Sequence, residues 1–491
     1  LETLRTAEYS WQKEIDEWGF YAPPIVSAEG KYLIYLGYAG GAAGYTAPIG
    51  TVPETAWDDC ATYIVIESGL ELWSIGDTVS HELSHATQGA MDCMEPVTFW
   101  ENTAVFVEMA VFPESMSNNR WFSYYFQISP HLSISEGQSP YWYGGYIWPT
   151  FLADFYGEGW NDVPFIREVW EMSMQESGDS SNSIDYMEAI DEKLSQTGHS
   201  LLEAFHRFSV SRWFVDSRYV EGVSSMPFGD MIYPVPPIIA TLDMDFPTVV
   251  TPPEASWPKQ YGVNYYVIRN PEGYDRTTRI SVSTFEEGIP LAVQIVPMES
   301  PLDAITKEST GLKTVVDFDP SETGDVLVVV AHLGGDNFNP NGVASHGVKY
   351  SLMIQPAVPL PFISMVSPGV FTQGGEHVMR IYGADFQEGA QISFLPANGI
   401  VVESAALDQS GVLVATVSVP DDALTGHLTV VVTNPDGGSD SMENAVIVEP
   451  GQPSTGGGGC STGRGAPEFV PLWILFAGIF LVRRRVKTRT R

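Results

Sequence analysis

The pattern of apolar positions divides the chain into a mixed, mostly helical N-terminal part and an all-β C-terminal part. In TLRTAEYSWQKEIDEWGF the apolar and aromatic residues recur at helical spacing, whereas KYLIYL and ATYIVIES alternate as strands do. From about Pro252, short β-branched runs such as TRISVST and DVLVVVA are separated by turn-rich segments, which is typical of a β-sandwich. A second series of short strands begins near Pro361.

These changes predict a multidomain protein, an α+β domain followed by two all-β, immunoglobulin-like sandwiches. The length of 491 residues agrees with roughly three domains of ordinary size. The expected parts are an α+β domain over 1–248, a β-sandwich accessory domain over 249–358, a second sandwich over 359–449, a Gly-rich linker with Cys460 over 450–467, and a transmembrane or sorting segment over 468–491.

The C-terminal segment predicts attachment to a membrane. Its apolar run, Phe469 to Val482, is shorter than the ~20 residues of an ordinary spanning helix. The arginine-rich cluster behind it would stay cytoplasmic and leave the long N-terminal part outside. With Cys460 in a Gly-rich setting, this tail resembles the MYXO-CTERM type of bacterial sorting signal, which implies processing near Cys460 and display at the cell surface or outer membrane. Because the chain starts at Leu1 without a leader, we expect a removed signal peptide or a missing start.

Charge and cysteine usage agree with an exported protein. The formal charge of −37 argues against a nucleic-acid partner, because a polyanion would repel this surface. Apart from Cys460 the chain has only Cys60 and Cys93, which could form one disulfide in an oxidising compartment or remain two buried thiols. Neither has the CxxC spacing of a zinc thiolate site.

The stretch HELSHATQG, residues 81–89, has the spacing of a metal-binding helix. Residues four apart lie about 40° apart around a helix, so His81 and His85 project from one face and can bind one zinc ion. Glu82 can reach a water at that metal as a general base, and Gln88 can orient a histidine. The preceding strand ATYIVIES gives the motif a strand–loop–helix context, which is a favourable setting for a metal-binding helix.

A catalytic zinc needs a third protein ligand. Position 91 is a methionine, which excludes a histidine six residues past the second one. The next helical stretch, TFWENTAVFVEMAVF, carries Glu101 and Glu108 on nearly the same face of an otherwise apolar helix. A buried, unpaired carboxylate is costly, so we expect these glutamates to have partners, and a metal is a suitable one. The residues alone leave open which glutamate is the ligand.

This pair of helices resembles the gluzincin metallopeptidases, thermolysin-like and aminopeptidase-N-like, in which HExxH is followed by a glutamate ligand on the next helix. The context WEN-TA implies Glu101 as the zinc ligand and Glu108 as a partner of a histidine, although the spacing in those families is a few residues longer. The resemblance also implies a tyrosine that stabilises the oxyanion, for which YWYGGYIWPTFLADFYG is the matching stretch. The candidates are Tyr143, the expected one, with Tyr141 and Tyr146 as alternatives, and the lone histidines His131 and His206.

Two further resemblances cover longer ranges. GYTAP, YIVIES, HELSHATQ and FWENTAVFVE, within about 35–175, resemble a family of bacterial cell-surface metalloproteases first recognised in myxobacteria, which implies peptidase chemistry without fixing a substrate. PFISMVSPGVFTQGGEHVMRIYGADF and LTVVVTNPDGGSD, within about 361–449, resemble the immunoglobulin-like IPT/TIG domain, which implies a spacer or binding module.

We therefore expect a zinc-dependent peptidase on the bacterial cell surface, with a peptide or protein substrate. The alternative is a catalytically inactive adhesion or scaffold protein whose β-domains bind a cell-surface ligand. A weaker expectation concerns the loop GGDNFNPNG, residues 334–342, whose acidic and amide side chains could bind calcium.

Overall fold

The computed structural model describes residues 1–451, except 53–54, 177–183, 226–234, 245–246, 273, 275, 286–288, 310–311, 335–345, 358–359 and 436–437. The chain forms two compact units, the first comprising Leu1–Pro361 and the second beginning at Phe362. The expected sorting tail with Cys460, and residues 335–342 of the expected calcium loop, lie outside the described residues. Within the described ranges, no helix has the length and apolar character to span a bilayer.

The N-terminal part of the first unit is mainly helical, as the apolar spacing predicts. The helices are α1 (Glu2–Trp11), which continues as a π-helix over Gln12–Glu17, α2 (Leu72–Gly89), α3 (Val97–Val111), α4 (Met116–Gln127), α5 (Tyr141–Gly144), α6 (Ile147–Tyr156), α7 (Val163–Ser173), α8 (Tyr186–Ser195) and α9 (Leu201–Ser211). Side-chain caps define three of the starts: Asp162, Asp185 and Ser200 each accept a hydrogen bond from a backbone N–H of the first turn.

A three-stranded sheet supports α2. It consists of β1 (Ile34–Gly37), β2 (Gly44–Thr51) and β3 (Cys60–Glu67) in the order β1-β3-β2, so β3 is central and β2 is an edge strand. The strands expected at KYLIYL and ATYIVIES are confirmed as β1 and β3. Ile64 and Ile66 of β3 are almost completely buried against the apolar face of α2, which leaves the opposite face of the helix for its polar residues.

Cys60 and Cys93 form a disulfide, which is one of the two outcomes that the sequence leaves open. The bridge joins the start of β3 to the turn after α2, across a sequence separation of 33 residues. In the chain-entropy account, a loop of this length contributes about 4 kcal/mol to the free energy of unfolding. The bridge therefore secures the segment that carries both histidines of the HELSH motif.

The rest of the first unit is a pair of sheets that also packs against the helices. Their orders are β10-β7-β12-β5 and β4-β6-β11-β8-β9. One face of the five-stranded sheet packs against the other sheet, while Tyr265, Leu327 and Val329 on its opposite face join the core of the helices. The elements are β4 (Ala240–Asp243), β5 (Thr248–Val250), β6 (Val263–Arg269), β7 (Thr278–Thr284), β8 (Leu291–Pro297), β9 (Ile305–Ser309), β10 (Lys313–Phe318), the short helix α10 (Pro320–Thr323), β11 (Val326–His332) and β12 (Tyr350–Pro356).

The second unit consists of two four-stranded sheets, β13-β15-β18-β17 and β14-β20-β19-β16, with an apolar core of its own. Its strands are β13 (Phe362–Ser367), β14 (Val370–Thr372), β15 (Glu376–Ala384), β16 (Gln391–Leu395), β17 (Val401–Leu407), β18 (Leu413–Ser418), β19 (Gly426–Thr433) and β20 (Ser439–Glu449). A helical N-terminal region followed by sandwich-like β-sheets is thus confirmed, whereas the gluzincin assignment of the helical region remains a prediction.

Candidate metal centre

Helices α2 and α3 bring three candidate ligands together. His81 and His85 lie one turn apart on α2, and Glu101 lies near the start of α3. One ligand atom from each of the three lies within 4.8 Å of the others, the one such group of His, Cys, Asp and Glu in the described part of the chain. Glu101 Oε2 is 3.2 Å from His81 Nε2 and 3.5 Å from His85 Nε2. This donor set could hold a metal ion.

The other nitrogen of each histidine has its own partner. His81 Nδ1 is 2.8 Å from Glu108 Oε2, and His85 Nδ1 is 2.8 Å from Gln88 Oε1. Gln88 uses its Nε2 to donate to the Thr103 hydroxyl at 3.0 Å, which fixes the amide orientation and presents the oxygen to His85. Both histidines therefore carry a proton on Nδ1 and direct Nε2 toward the cluster. The sequence leaves open which of the two glutamates is the ligand. In the structure, Glu101 lies between the two histidines, and Glu108 lies behind His81.

The histidines and the carboxylates of the cluster stabilise one another's charged forms. Burial lowers the pKa of His81, but hydrogen bonds to Glu101 and Glu108 outweigh it, and the resulting pKa lies well above its usual value. Burial acts on Glu101 in the opposite direction, yet hydrogen bonds from His81 and His85 and their charges bring the pKa of this carboxyl far below its usual value. Glu101 is thus ionised at neutral pH, as a metal ligand must be.

Glu82 is held beside the cluster by a strand of the small sheet. Its side chain is buried, and Oε2 accepts a hydrogen bond of 2.7 Å from the Thr46 hydroxyl on β2. Close approach of the strand requires a glycine at position 44, because a Cβ there would lie 2.9 Å from Thr78 Cγ2 and 3.0 Å from Glu82 Cγ. Sequence reasoning missed Gly44 and Thr46 as site residues, although both belong to the stretch GYTAP.

A cleft of about 470 Å³ opens beside the cluster. It is bounded by the start of β2, by α2, by the start of α3 and by Tyr143, whose ring centroid is 6.1 Å from that of His81. Burial, followed by the negative charge of Glu101, raises the pKa of Tyr143 to about 12, so its phenol remains protonated and able to donate at neutral pH. Of the three tyrosines considered, Tyr143 therefore lies at the cleft, while Tyr141 and Tyr146 are buried in the helical core.

The two lone histidines lie elsewhere. His131 is half-buried in the segment after α4, where burial and then the charges of Arg212 and Lys259 lower its pKa. His206 lies on α9 and lines a separate cavity. Neither residue is part of the cleft at Glu101, which leaves Tyr143 as the candidate oxyanion donor among those that the sequence indicates.

A second carboxyl supports α2 from behind. Glu14, in the π-helical segment, is completely buried and accepts hydrogen bonds from Ser80 and Ser84 at 3.0 and 3.1 Å. Burial raises the pKa of Glu14 well above its usual value, and the two hydroxyls offset only part of that shift. No local pattern singles out Glu14, because its stretch resembles the exposed side of any amphipathic helix.

Comparison with known proteins assigns no activity to this arrangement. A family model described as "Family of unknown function (DUF6055)" matches residues 2–193, which is less than half of the 491 residues but includes the whole cluster. No curated protein sequence matches the chain.

Solved structures give only remote similarity. The pre-peptidase C-terminal domain of a collagenase from Bacillus anthracis is 13% identical, with 24% of this chain and 96% of that chain covered and a TM-score of 0.18. The extracellular portion of mouse CD200RLa is 11% identical, with 43% and 100% covered and a TM-score of 0.15. A DUF4785 family protein from Legionella pneumophila is 9% identical, with 42% and 64% covered and a TM-score of 0.14. These scores are too low to support a functional argument.

Proposed function

We propose that the protein is a zinc-dependent hydrolase that cleaves peptide bonds. The observation that carries the proposal is the convergence of His81, His85 and Glu101 at one end of a cleft, with Glu82 beside them. Two imidazole nitrogens and one carboxylate form the ligand set typical of a catalytic zinc that keeps one position open. Histidine ligands of a metal usually have a hydrogen-bond partner at their second ring nitrogen. Here Glu108 is that partner for His81 Nδ1, and Gln88 is that partner for His85 Nδ1. The residues therefore fit the metal.

The residues of the chain have distinct roles in this proposal. A bound zinc ion would polarise the peptide carbonyl and lower the pKa of a coordinated water. Glu82, positioned by the Thr46 hydroxyl, accepts the proton of the attacking water and delivers it to the leaving amine. Tyr143, protonated at neutral pH, donates a hydrogen bond to the oxygen that gains negative charge.

The edge strand favours an extended peptide as substrate. In the described sheet β2 pairs only with β3, and residues 44–46 of β2 line the cleft. The free side of an edge strand can pair with an extended chain through backbone hydrogen bonds, which recognises a polypeptide independently of its side chains. A peptide bound in this way would pass the cluster at Glu101.

We further propose that the protein acts outside the cytoplasm. The Cys60–Cys93 disulfide supports an oxidising compartment, and the resemblance of the tail to a MYXO-CTERM signal supports display at the cell surface. The sandwich of the second unit, which resembles an IPT/TIG domain, would then act as a spacer or as a module that binds a surface ligand.

The test compares Glu82→Gln with Glu71→Gln in the purified protein. Glu71 is exposed at the start of the same helix and makes no capping hydrogen bond with its side chain, so its substitution is a matched control. We expect the original protein and both variants to bind about one equivalent of zinc by elemental analysis. Cleavage of unfolded casein should fall by about 100- to 10,000-fold in Glu82→Gln alone. Full activity in Glu82→Gln would refute the mechanism, and zinc binding without cleavage of any peptide library would favour the inactive scaffold.

A further inference from the structure

Aromatic residues occupy the solvent-facing side of α4. Trp121, Tyr124, Tyr125 and Ile128 are 53%, 41%, 37% and 37% exposed, respectively. Their spacing of three, four and seven positions places them on one face of the helix. Phe126 lies on the other face and is buried in the helical core. We refer to the four exposed residues as the α4 stripe.

The α4 stripe differs from the usual exposed face of a helix. Such a face normally carries charged or polar residues, because apolar area in contact with water costs free energy. None of the four stripe residues is charged, although the chain has 61 acidic and 24 basic residues. The ring of Tyr125 lies 6.3 Å from that of Trp121 and 5.5 Å from that of Tyr124, so the stripe is continuous. A continuous apolar patch indicates a surface that binds another molecule, whereas single exposed apolar residues are ordinary.

Ring contacts connect the α4 stripe to the cleft at Glu101. The ring centroid of Trp121 is 4.0 Å from that of Phe122, which is 5.1 Å from that of Tyr143 at the cleft. The Tyr143 ring is 6.1 Å from that of His81, so Trp121 and His81 are separated by no more than the sum of the three distances, about 15 Å. An extended polypeptide advances about 3.3 Å per residue, so a chain bound at the cluster reaches the stripe within about five residues.

The chemistry of the stripe favours apolar and aromatic side chains as its ligands. Tryptophan and tyrosine bury a large area and lose little side-chain freedom on binding, and they often dominate the binding free energy of protein interfaces. A charged segment would find no ion-pair partner among the four stripe residues, and the net charge of −37 disfavours a nucleic acid. A polypeptide that already occupies the cleft can supply an apolar side chain to the stripe without a further partner.

We propose that the α4 stripe is a second binding surface for the substrate polypeptide, and that it holds an apolar or aromatic side chain about five residues from the cleaved bond. This inference rests on the proposed peptidase function and defines its substrate class. The preferred substrates are unfolded or flexible polypeptides, because a folded protein buries such side chains and a short peptide cannot reach both the cluster and the stripe.

The test compares short and long substrates of the purified full chain. The short substrate is a fluorogenic peptide with two residues on each side of a bond that the protein cleaves in unfolded casein. The long substrates carry about six more residues at one end or the other, with either phenylalanine or serine at the positions about five residues from that bond. At one of the two ends, we expect kcat/KM for the phenylalanine substrate to exceed that for the serine substrate by about 10-fold, through KM.

Two tryptophan variants locate the effect. Trp121→Ser should lower kcat/KM for the long phenylalanine substrate by about 10-fold, with the zinc content and the cleavage of the short substrate unchanged. Trp73→Ser is the matched control, since Trp73 is an exposed residue of α2 that does not line the cleft. It should leave all three measurements unchanged. Equal rates for the phenylalanine and serine substrates at both ends, or an unchanged KM in Trp121→Ser, would overturn the proposal.

A binding measurement separates this proposal from the proposed function. Fluorescence anisotropy of labelled unfolded casein, titrated with the full chain carrying Glu82→Gln, reports affinity without cleavage. Adding Trp121→Ser should weaken this affinity by about 10-fold, and adding Trp73→Ser should not. If this difference appears although the original protein cleaves no peptide, the peptidase function fails and the stripe still binds polypeptide. If Trp121→Ser instead abolishes self-association in sedimentation, or binding to phosphatidylcholine vesicles, with casein affinity unchanged, the stripe serves a second copy or a lipid surface and the proposal is wrong.

Discussion

The two histidine-lined cavities of the first unit bury an imidazole in opposite ways. At the cleft, His81 lies between two carboxylates, and these outweigh burial to raise its pKa well above the usual value. At the second cavity, one carboxylate oxygen lies 3.5 Å from His206, and burial lowers its pKa to about 4. The carboxylates of the first arrangement favour a positive charge between them, whether this is a proton on His81 or a metal ion in its place. At His206 burial outweighs the single carboxylate and keeps the imidazole neutral, so the neighbours rather than the residue type determine the charge of each histidine.

The largest expected effect is on zinc affinity, and it compares the two glutamates of α3, Glu101 and Glu108. Glu101→Gln should weaken zinc binding by more than about 100-fold, because it removes a proposed ligand, whereas Glu108→Gln should weaken it by about 10- to 100-fold through the loss of histidine orientation. Competition with a zinc-chelating dye measures both affinities. The reverse order would assign the ligand role to Glu108 and require α3 to adopt another orientation.

A smaller effect is expected at Tyr143. Tyr143→Phe should lower kcat by about 100-fold by removing a donor to the oxyanion, with the zinc content and KM unchanged. Tyr141→Phe is the matched control, since that ring lies in the core and its hydroxyl reaches the Leu132 carbonyl only at 3.4 Å. Steady-state kinetics on a fluorogenic peptide provides the measurement. An equal loss in both variants would indicate a packing role for the YWYG segment.

The smallest effect concerns His206 and the way in which the free energy of unfolding depends on pH. The pKa of His206 is about 4 in the folded protein and near 6.5 in the unfolded chain, so the unfolded state binds more protons and the free energy of unfolding falls as pH drops through this window. His206→Leu should therefore reduce the slope of unfolding free energy against pH by at most about 1.4 kcal/mol per pH unit. Urea titrations between these two pH values measure it.

Other groups titrate in the same pH window, among them the carboxyls of Asp92 and Asp185. Burial raises the pKa of Asp92 and of Asp185 to about 6, so these carboxyls contribute stability that is lost as pH rises, the opposite sign to His206. Their contribution is common to the original protein and the variant, and it cancels in the difference between the two slopes. An unchanged slope in His206→Leu would show that the imidazole is accessible to protons in the folded state.

The sequence predicts the parts of the site that depend on one helix. The relation of His81, Glu82 and His85 follows from helical periodicity alone. The choice between Glu101 and Glu108 depends on how α3 is offset along α2, and spacing in the chain does not encode this offset. The same applies to the three tyrosines near α5, which differ only in the direction of their side chains.

Contacts between distant segments could not be predicted. Thr46 meets Glu82 across 36 residues, and Glu14 meets Ser80 across 66 residues. Each contact joins elements that the sheet and the helices bring together only in the folded state. The cavity at His206 is a similar case, because α9 ends at Ser211, β8 begins 80 positions later at Leu291, and no motif relates them. By contrast, the short β-branched runs and turn-rich segments after Pro252 are a local pattern, so the β-sheets there could be predicted.

The Cys60–Cys93 bridge has a consequence for what proteolysis can release from the chain. Residues 60–93 form a covalent ring that contains β3, α2 and both histidines of the cluster. A single cut between the two cysteines would leave the resulting pieces joined through sulfur, so the histidines could not be released as a separate fragment. The chain would thus keep both histidines of the candidate metal centre after a single cut within this segment.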